Sequence, residues 1–164
     1  MSDEKTPPLA VVVTVSDRSA AGEREDAAGP RAVDALRAAG WRCEPARVVP
    51  DGEASVSAAL RQAVADGARL VVTTGGTGVG PRDRTPEGTR AVLDREVPGI
   101  AEELRRRGAQ EKPAGMLTRG LAGIAGAALV VNLPGAPRAV DSGMPVVLSV
   151  AGHVVSQLDG GDHA

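Results

Sequence analysis

The sequence predicts an α/β fold, a three-layer αβα sandwich around a mostly parallel sheet. Three observations carry this. Apolar β-branched runs alternate with helix-like patterns along the chain, and strands joined by crossover helices become parallel, with helices on both faces. The first run, "LAVVVTV" at Leu9–Val15, is a continuous stretch rich in β-branched residues with no charge, which reads as a strand buried on both faces. Finally, 42% of the 164 residues are hydrophobic but Trp41 is the only aromatic, so the core is built from small aliphatic side chains that suit layered packing.

After that strand, residues 16–25 are polar and read as a loop, and Asp26–Ala39 reads as a helix with Val33 and Leu36 on one face and Gly40 as its stop. Cys43–Val49 is a second strand, which Pro45 places at a sheet edge or delays. Val56, Ala59, Leu60, Ala63 and Val64 keep helical spacing, and Gly67 closes that helix. Arg69–Thr74 is the third strand. Thr85 is placed to cap a helix with Pro86 at its first position, and Val97-Pro98-Gly99 breaks it. Further helices are expected at Ile100–Arg107, Arg119–Ile124 and Pro145–Leu158, with a fourth strand at Ala127–Leu133. Residues 9–159 form one domain in this reading, and residues 1–8 and 160–164 are flexible ends.

In parallel α/β sheets ligands bind beyond the carboxyl ends of the strands. Here those ends carry Ser16-Asp17-Arg18, Pro50-Asp51-Gly52, the run Gly75–Gly80 with Arg82-Asp83, and Asn132, Pro134 and Gly135. The run "GGTGVG" removes side chains where the backbone can approach an anion, and successive N–H groups in such a loop form a nest for phosphate. It can also be a tight turn without a ligand. A β-branched side chain at Gly76 is expected to fill the space of a phosphate. Asp51 and Asp83 suit Mg²⁺ facing a phosphate, or cap the helices that follow them. Ser16, Asp17 and Arg18 bind an anion or form a turn. Asn132 bonds a ligand or ties down the Pro-Gly turn. Arg105–Arg107 reads as a solvated helix face, and His153 as structural.

Several classes are disfavoured. The loop lacks the Lys of a Walker A motif, and Pro81 breaks a dinucleotide fingerprint. No Gly-x-Ser-x-Gly elbow occurs. Cys43, His153 and His163 make neither a disulfide nor a zinc site of usual spacing. The net charge of −2 and the missing aromatics argue against nucleic acid. The first eight residues hold no signal-peptide core, and no apolar run approaches the roughly 20 residues of a membrane span, so no membrane partner and a cytoplasmic location are expected.

The blocks "TVSDR", "VVPDGE", "TTGGTGVGPRDRTPE", "DREVPGIAEELR", "MLTRG" and "VVNLPGAP" occur in this order over residues 12–137. In them the chain resembles the MogA/MoaB family, relatives of the gephyrin G domain and its plant counterpart. The resemblance implies adenylylation of molybdopterin with Mg-ATP, release of pyrophosphate, a homotrimer, and hand-over of the product to a molybdate-inserting enzyme. It implies Asp51 and Asp83 as catalytic and metal-binding residues, and Gly75, Gly76, Thr77 and Gly78 as the nucleotide and phosphate loop. Ser16, Arg18, Thr118, Asn132, Pro134 and Gly135 are its candidate substrate contacts. Thr118 stands where the family usually has serine. The presence of Asp83 and an intact "NLPGAP" favour the catalytic branch over a MoaB-like protein that binds molybdopterin without chemistry. A chain of this length leaves no room for the added domains of a molybdate-inserting enzyme.

Overall fold

The computed structural model describes residues 5–162. In chain order the elements are β1 (Leu9–Val15), α1 (Asp17–Ala20), α2 (Ala28–Ala38), β2 (Arg42–Cys43), β3 (Arg47–Val49), α3 (Glu53–Ala65), β4 (Leu70–Thr74), α4 (Thr85–Arg90), β5 (Arg95–Glu96), α5 (Pro98–Glu111), a 3₁₀ turn (Pro113–Leu117), β6 (Ala122–Ala125), β7 (Ala128–Leu133) and α6 (Pro137–Leu158). The sheet order is β2-β1-β4-β7-β6-β5, with β3 also pairing β1. The pairings of β1 with β2, β3 and β4 and of β4 with β7 are parallel, and β6 alone runs against the rest, pairing antiparallel with both β7 and β5.

Period-two alternation divides the apolar strands between two cores. Ala10, Val12, Leu70, Val72, Leu129 and Val131 face α2, α5 and α6. Val11, Val13, Val15, Val71 and Val130 face α3, where Val56, Leu60 and Ala63 are buried. A strand inside such a sandwich has no solvated side, which is why these segments are apolar except near their carboxyl ends, where Thr14, Thr73, Thr74 and Asn132 are buried.

Four expectations need correction. The segment read as a helix at Arg119–Ile124 instead enters strand β6. Gly126, at φ +57°, turns the chain back so that Ala122–Ala125 pairs antiparallel with β7; pairing and burial override the weak helical preference of this Ala-Gly stretch. Cys43–Val49 divides into β2 and β3, separated around Pro45, both on the edge beside β1. The polar loop after β1 contains the one-turn helix α1, capped by Ser16 Oγ accepting from Ser19 N at 3.1 Å. The last helix opens at Pro137, and Pro145, read as its start, lies on its exposed side within it.

That helix has 22 residues and an 18-residue window of mean hydropathy 1.3, long and apolar enough to cross a membrane by length and composition alone, although Arg138, Asp141, Ser142, Ser149 and His153 interrupt it. It lies in the helical layer, with Val140, Met144, Val147 and Ala151 buried against α2, α5 and β7. Of the ends expected to be flexible, residues 1–4 and 163–164 lie outside the described residues. Pro8 O accepts from Arg42 N at 3.0 Å and Gly161 N donates to Ser156 O at 2.9 Å, which ties both inner boundaries to the fold.

Candidate active site

Strand β4 ends at Thr74, and the chain turns at once through Gly75 (φ +93°) and Gly76 (φ +69°), both in the region that favours glycine. Space forbids a side chain here too. A Cβ on Gly75 would collide with Val15 O, and one on Gly135 would stand 3.2 Å from Gly75 Cα. Gly75 N donates to Leu133 O at 3.0 Å, so the loop is sewn to the end of β7. Thr85, expected as a cap, is fully buried and does something else: its hydroxyl donates to Gly75 O at 2.8 Å, and its N–H donates to Gly76 O at 3.1 Å. A Cβ on Gly76 would meet Thr85 Oγ1 and, at 3.2 Å, Asp51 Oδ1. A side chain at Gly76 therefore disturbs the loop's own support before it fills any ligand space.

Neither Asp51 nor Asp83 caps the helix that follows it; α3 and α4 begin without a side-chain cap bond. Asp51 Oδ2 accepts from Asp17 N at 2.9 Å, and Asp17 Oδ1 accepts from Asp51 N at 3.1 Å, which locks the ends of β1 and β3 together. Arg82 lays its fork on Asp17 at 3.1 and 3.0 Å and donates to Asp51 O at 3.0 Å. That bond holds the Asp17 carboxyl below its ordinary range. Burial pushes the Asp51 carboxyl up, and the negative charges of Asp17 and Asp83 add to it against the Asp17 backbone bond. Asp83 Oδ2 accepts from Gly80 N at 2.9 Å. Among the described residues no group of three or more His, Cys, Asp or Glu stands ready as a metal cage. A half-buried carboxylate beside like charges nonetheless gains from a cation, and Mg²⁺ commonly takes only one or two carboxylates beside phosphates and water.

Two cavities meet at this loop. A smaller one of about 410 Å³ is lined by Thr14, Ser16, Ser19, Asp26 and Asp51. A larger one of about 560 Å³ is lined by Thr77, Gly78, Thr118, Asn132 and Pro134, with Arg107, Lys112 and Arg138 bringing positive charge. Gly75, Gly76, Asp83 and Gly135 belong to both walls. The structure therefore brings the candidates from the sequence to the two cavities except Asp17, which bonds Asp51 but lines neither, and Arg18, which is exposed on α1 and lines neither. Thr118 Oγ1 bonds Thr77 Oγ1 at 3.1 Å, so the hydroxyl is engaged with the loop. Asn132 is 3% exposed and committed to the fold: its Oδ1 accepts from Leu121 N, and its Nδ2 donates to Thr73 and Thr89 Oγ1, each at 3.0 Å.

Residues the sequence reading passed over shape the same site. Asp26, read as the start of a helix, accepts from Thr14 Oγ1 at 2.7 Å and from Gly29 N at 2.9 Å. Arg119 donates Nε to Gly78 O and a terminal nitrogen to Asp83 O, both at 2.8 Å, and pairs with Glu87. Burial opposes the Glu87 charge, but the Arg119 bond with Arg119 and Arg84 nearby outweighs it and holds the carboxyl below its usual range. The available signal was the motif itself: "MLTRG" contains an arginine beside Thr118, and "PRDRTPE" flanks Asp83 with two more.

Fold and site together define a class: a mostly parallel α/β domain whose glycine loop, flanked by two aspartates, divides a cleft at the carboxyl edge of the sheet. Residues 11–153 match the family model described as "Probable molybdopterin binding domain". The chain belongs to this family, and the MogA/MoaB resemblance is borne out. It is 40% identical over 155 residues to a "Molybdenum cofactor biosynthesis bifunctional protein" of Synechococcus elongatus, covering 94% of this chain and 49% of that protein. It is 38% identical over 149 residues to a "Molybdopterin adenylyltransferase" of Pyrococcus furiosus, covering 88% and 87%. A solved molybdopterin biosynthesis protein from Mycobacterium abscessus superposes with a TM-score of 0.88 at 42% identity, covering 93% and 97%. The chain spans about half the length of the bifunctional relatives.

Proposed function

We infer that this protein is a molybdopterin adenylyltransferase acting in molybdenum cofactor biosynthesis. One observation carries the reading: Asp51 and Asp83 converge on a glycine loop that forms the common wall of two cavities, one room for each of two substrates. ATP and molybdopterin would place their phosphates along that loop. A terminal phosphate oxygen of molybdopterin attacks the α-phosphorus of ATP in line; the new P–O bond forms as the bond to the β-phosphate oxygen breaks, and the electron pair leaves with pyrophosphate. The chain's part is positioning and charge. The loop N–H groups and the amino end of α6, which starts beside Ala136, favour phosphate there. Asp51 and Asp83 would hold Mg²⁺, which supplies neutralisation of the leaving pyrophosphate.

A homotrimer, a cytoplasmic location and hand-over of adenylyl-molybdopterin to a molybdate-inserting enzyme complete the reading, on the strength of the resemblance. A second reading, binding of molybdopterin without chemistry, draws on one contact: Asp83 Oδ2 is already occupied by Gly80 N, as in a turn with a purely structural aspartate. Pyrophosphate release measured with purified protein, Mg-ATP and molybdopterin separates the two. Release that needs both substrates supports transfer; tight molybdopterin binding with no release supports the second reading.

A further inference from the structure

We propose that Arg119 is a positioning residue: its guanidinium sets the course of the glycine loop and so the place of Asp83. The use made of the loop rests on the adenylyl-transfer reading; the geometry does not.

Arg119 lines neither cavity, so it acts through other groups. Its backbone N–H donates to Thr77 O at 2.8 Å. From the same residue one planar group reaches Gly78 O and Asp83 O, each at 2.8 Å, and pairs with Glu87. Both ends of the loop's free arc are thereby fixed by donors whose relative directions cannot change. Within the arc, Gly80 N bonds Asp83 Oδ2 at 2.9 Å and Asp83 N bonds Gly80 O at 3.1 Å. Asp83 Oδ2 stands only 3.0 and 2.9 Å from where a Cβ on Gly78 or Gly80 would lie. The carboxylate is thus packed into a curve whose ends Arg119 holds. Arg119 is itself anchored, because Arg105 donates to Thr118 O at 2.9 Å and Gly120 O at 3.1 Å, the carbonyls on either side of it. The run read as a solvated face therefore contains one arginine that braces the site.

Lysine distinguishes geometry from charge. Arg119→Lys can keep the pairing with Glu87 but cannot span Gly78 and Asp83 with a planar fork. The test compares wild type and Arg119→Lys by hydrogen exchange, melting and kinetics. The amides of Gly80 and Asp83 should exchange about tenfold faster or more while those of β1 and β4 are unchanged. Turnover should fall on the order of 10²-fold, the scale of a displaced catalytic group, while KM for molybdopterin changes by less than about threefold. Lysine that preserves loop protection and turnover overturns the proposal, as does a loop whose amides are unaffected. If Arg119→Lys does not fold, Arg105→Lys replaces it, with faster exchange of the same two amides expected and unchanged exchange overturning the proposal. Should the wild type transfer no AMP, the functional reading fails, and the exchange measurement still decides the role of Arg119.

Discussion

Asp51 keeps its charge against burial and two like-charged neighbours, so its carboxyl titrates above the ordinary range. The folded chain therefore holds this proton to higher pH than the unfolded chain does. By linkage, its contribution to stability falls as pH rises from the ordinary carboxylate range through the raised value, and the penalty is complete above it. Asn at this position removes the penalty and can still accept from Asp17 N. Asp51→Asn should melt at or above wild type at neutral pH without ligand, and the difference should shrink on acidification. A variant that melts below wild type at neutral pH would show that the charge stabilises the loop ends. Gly76 makes the opposite case, in which shape decides. Gly76→Ala forces φ +69° on an L-residue, a strain of roughly 1–2 kcal/mol, and brings its Cβ against Thr85 Oγ1 and Asp51 Oδ1. Denaturant unfolding should register that loss. Unchanged stability would mean that the loop relaxes freely, against the Thr85 bond that fixes it.

Asn132 joins three elements, β7 through its own backbone, β4 through Thr73 and α4 through Thr89. Asn132→Ala would leave Leu121 N without its acceptor, at a cost of roughly 1–3 kcal/mol. A lowered melting temperature, with molybdopterin affinity of the remaining folded protein near wild type, is the expected result. Lost affinity at unchanged stability would make Asn132 a ligand contact instead. Strands β1, β4 and β7 and helix α3 were legible because their patterns report burial directly: Leu9–Val15 is apolar but for Thr14, and Val56, Leu60 and Ala63 keep helical spacing. Strand β6 was not, since "AGIA" has only one β-branched residue and becomes a strand through its partner β7. Helix α6 was shortened because Pro145 resembles a helix start, although Pro137 fills that role and the ring of Pro145 is exposed. At the site, the Gly75–Gly80 loop, Asp51 and Asp83 were visible from motif and strand-end position. Arg119 was invisible as a brace because its partners are backbone carbonyls, and these leave no trace in residue identity.

For the whole molecule, the central sheet places four strand ends on one edge, and two cavities open there on either side of one loop. Away from the two cavities, Val48 and Met116 are exposed apolar residues that an assembly could cover. Light scattering should return close to three times the 16.6 kDa chain mass, and a monomer at micromolar concentration would remove the trimer. The central claim is that the aspartates serve chemistry at the loop. It is tested most directly by pyrophosphate release from Mg-ATP and molybdopterin in wild type, Asp51→Asn and Asp83→Asn, with melting followed alongside. Wild type should turn over, and each variant should stay folded and lose on the order of 10²-fold or more, the scale of removing a principal electrostatic stabiliser. Folded variants that turn over like wild type would contradict the account and leave the two aspartates as loop anchors.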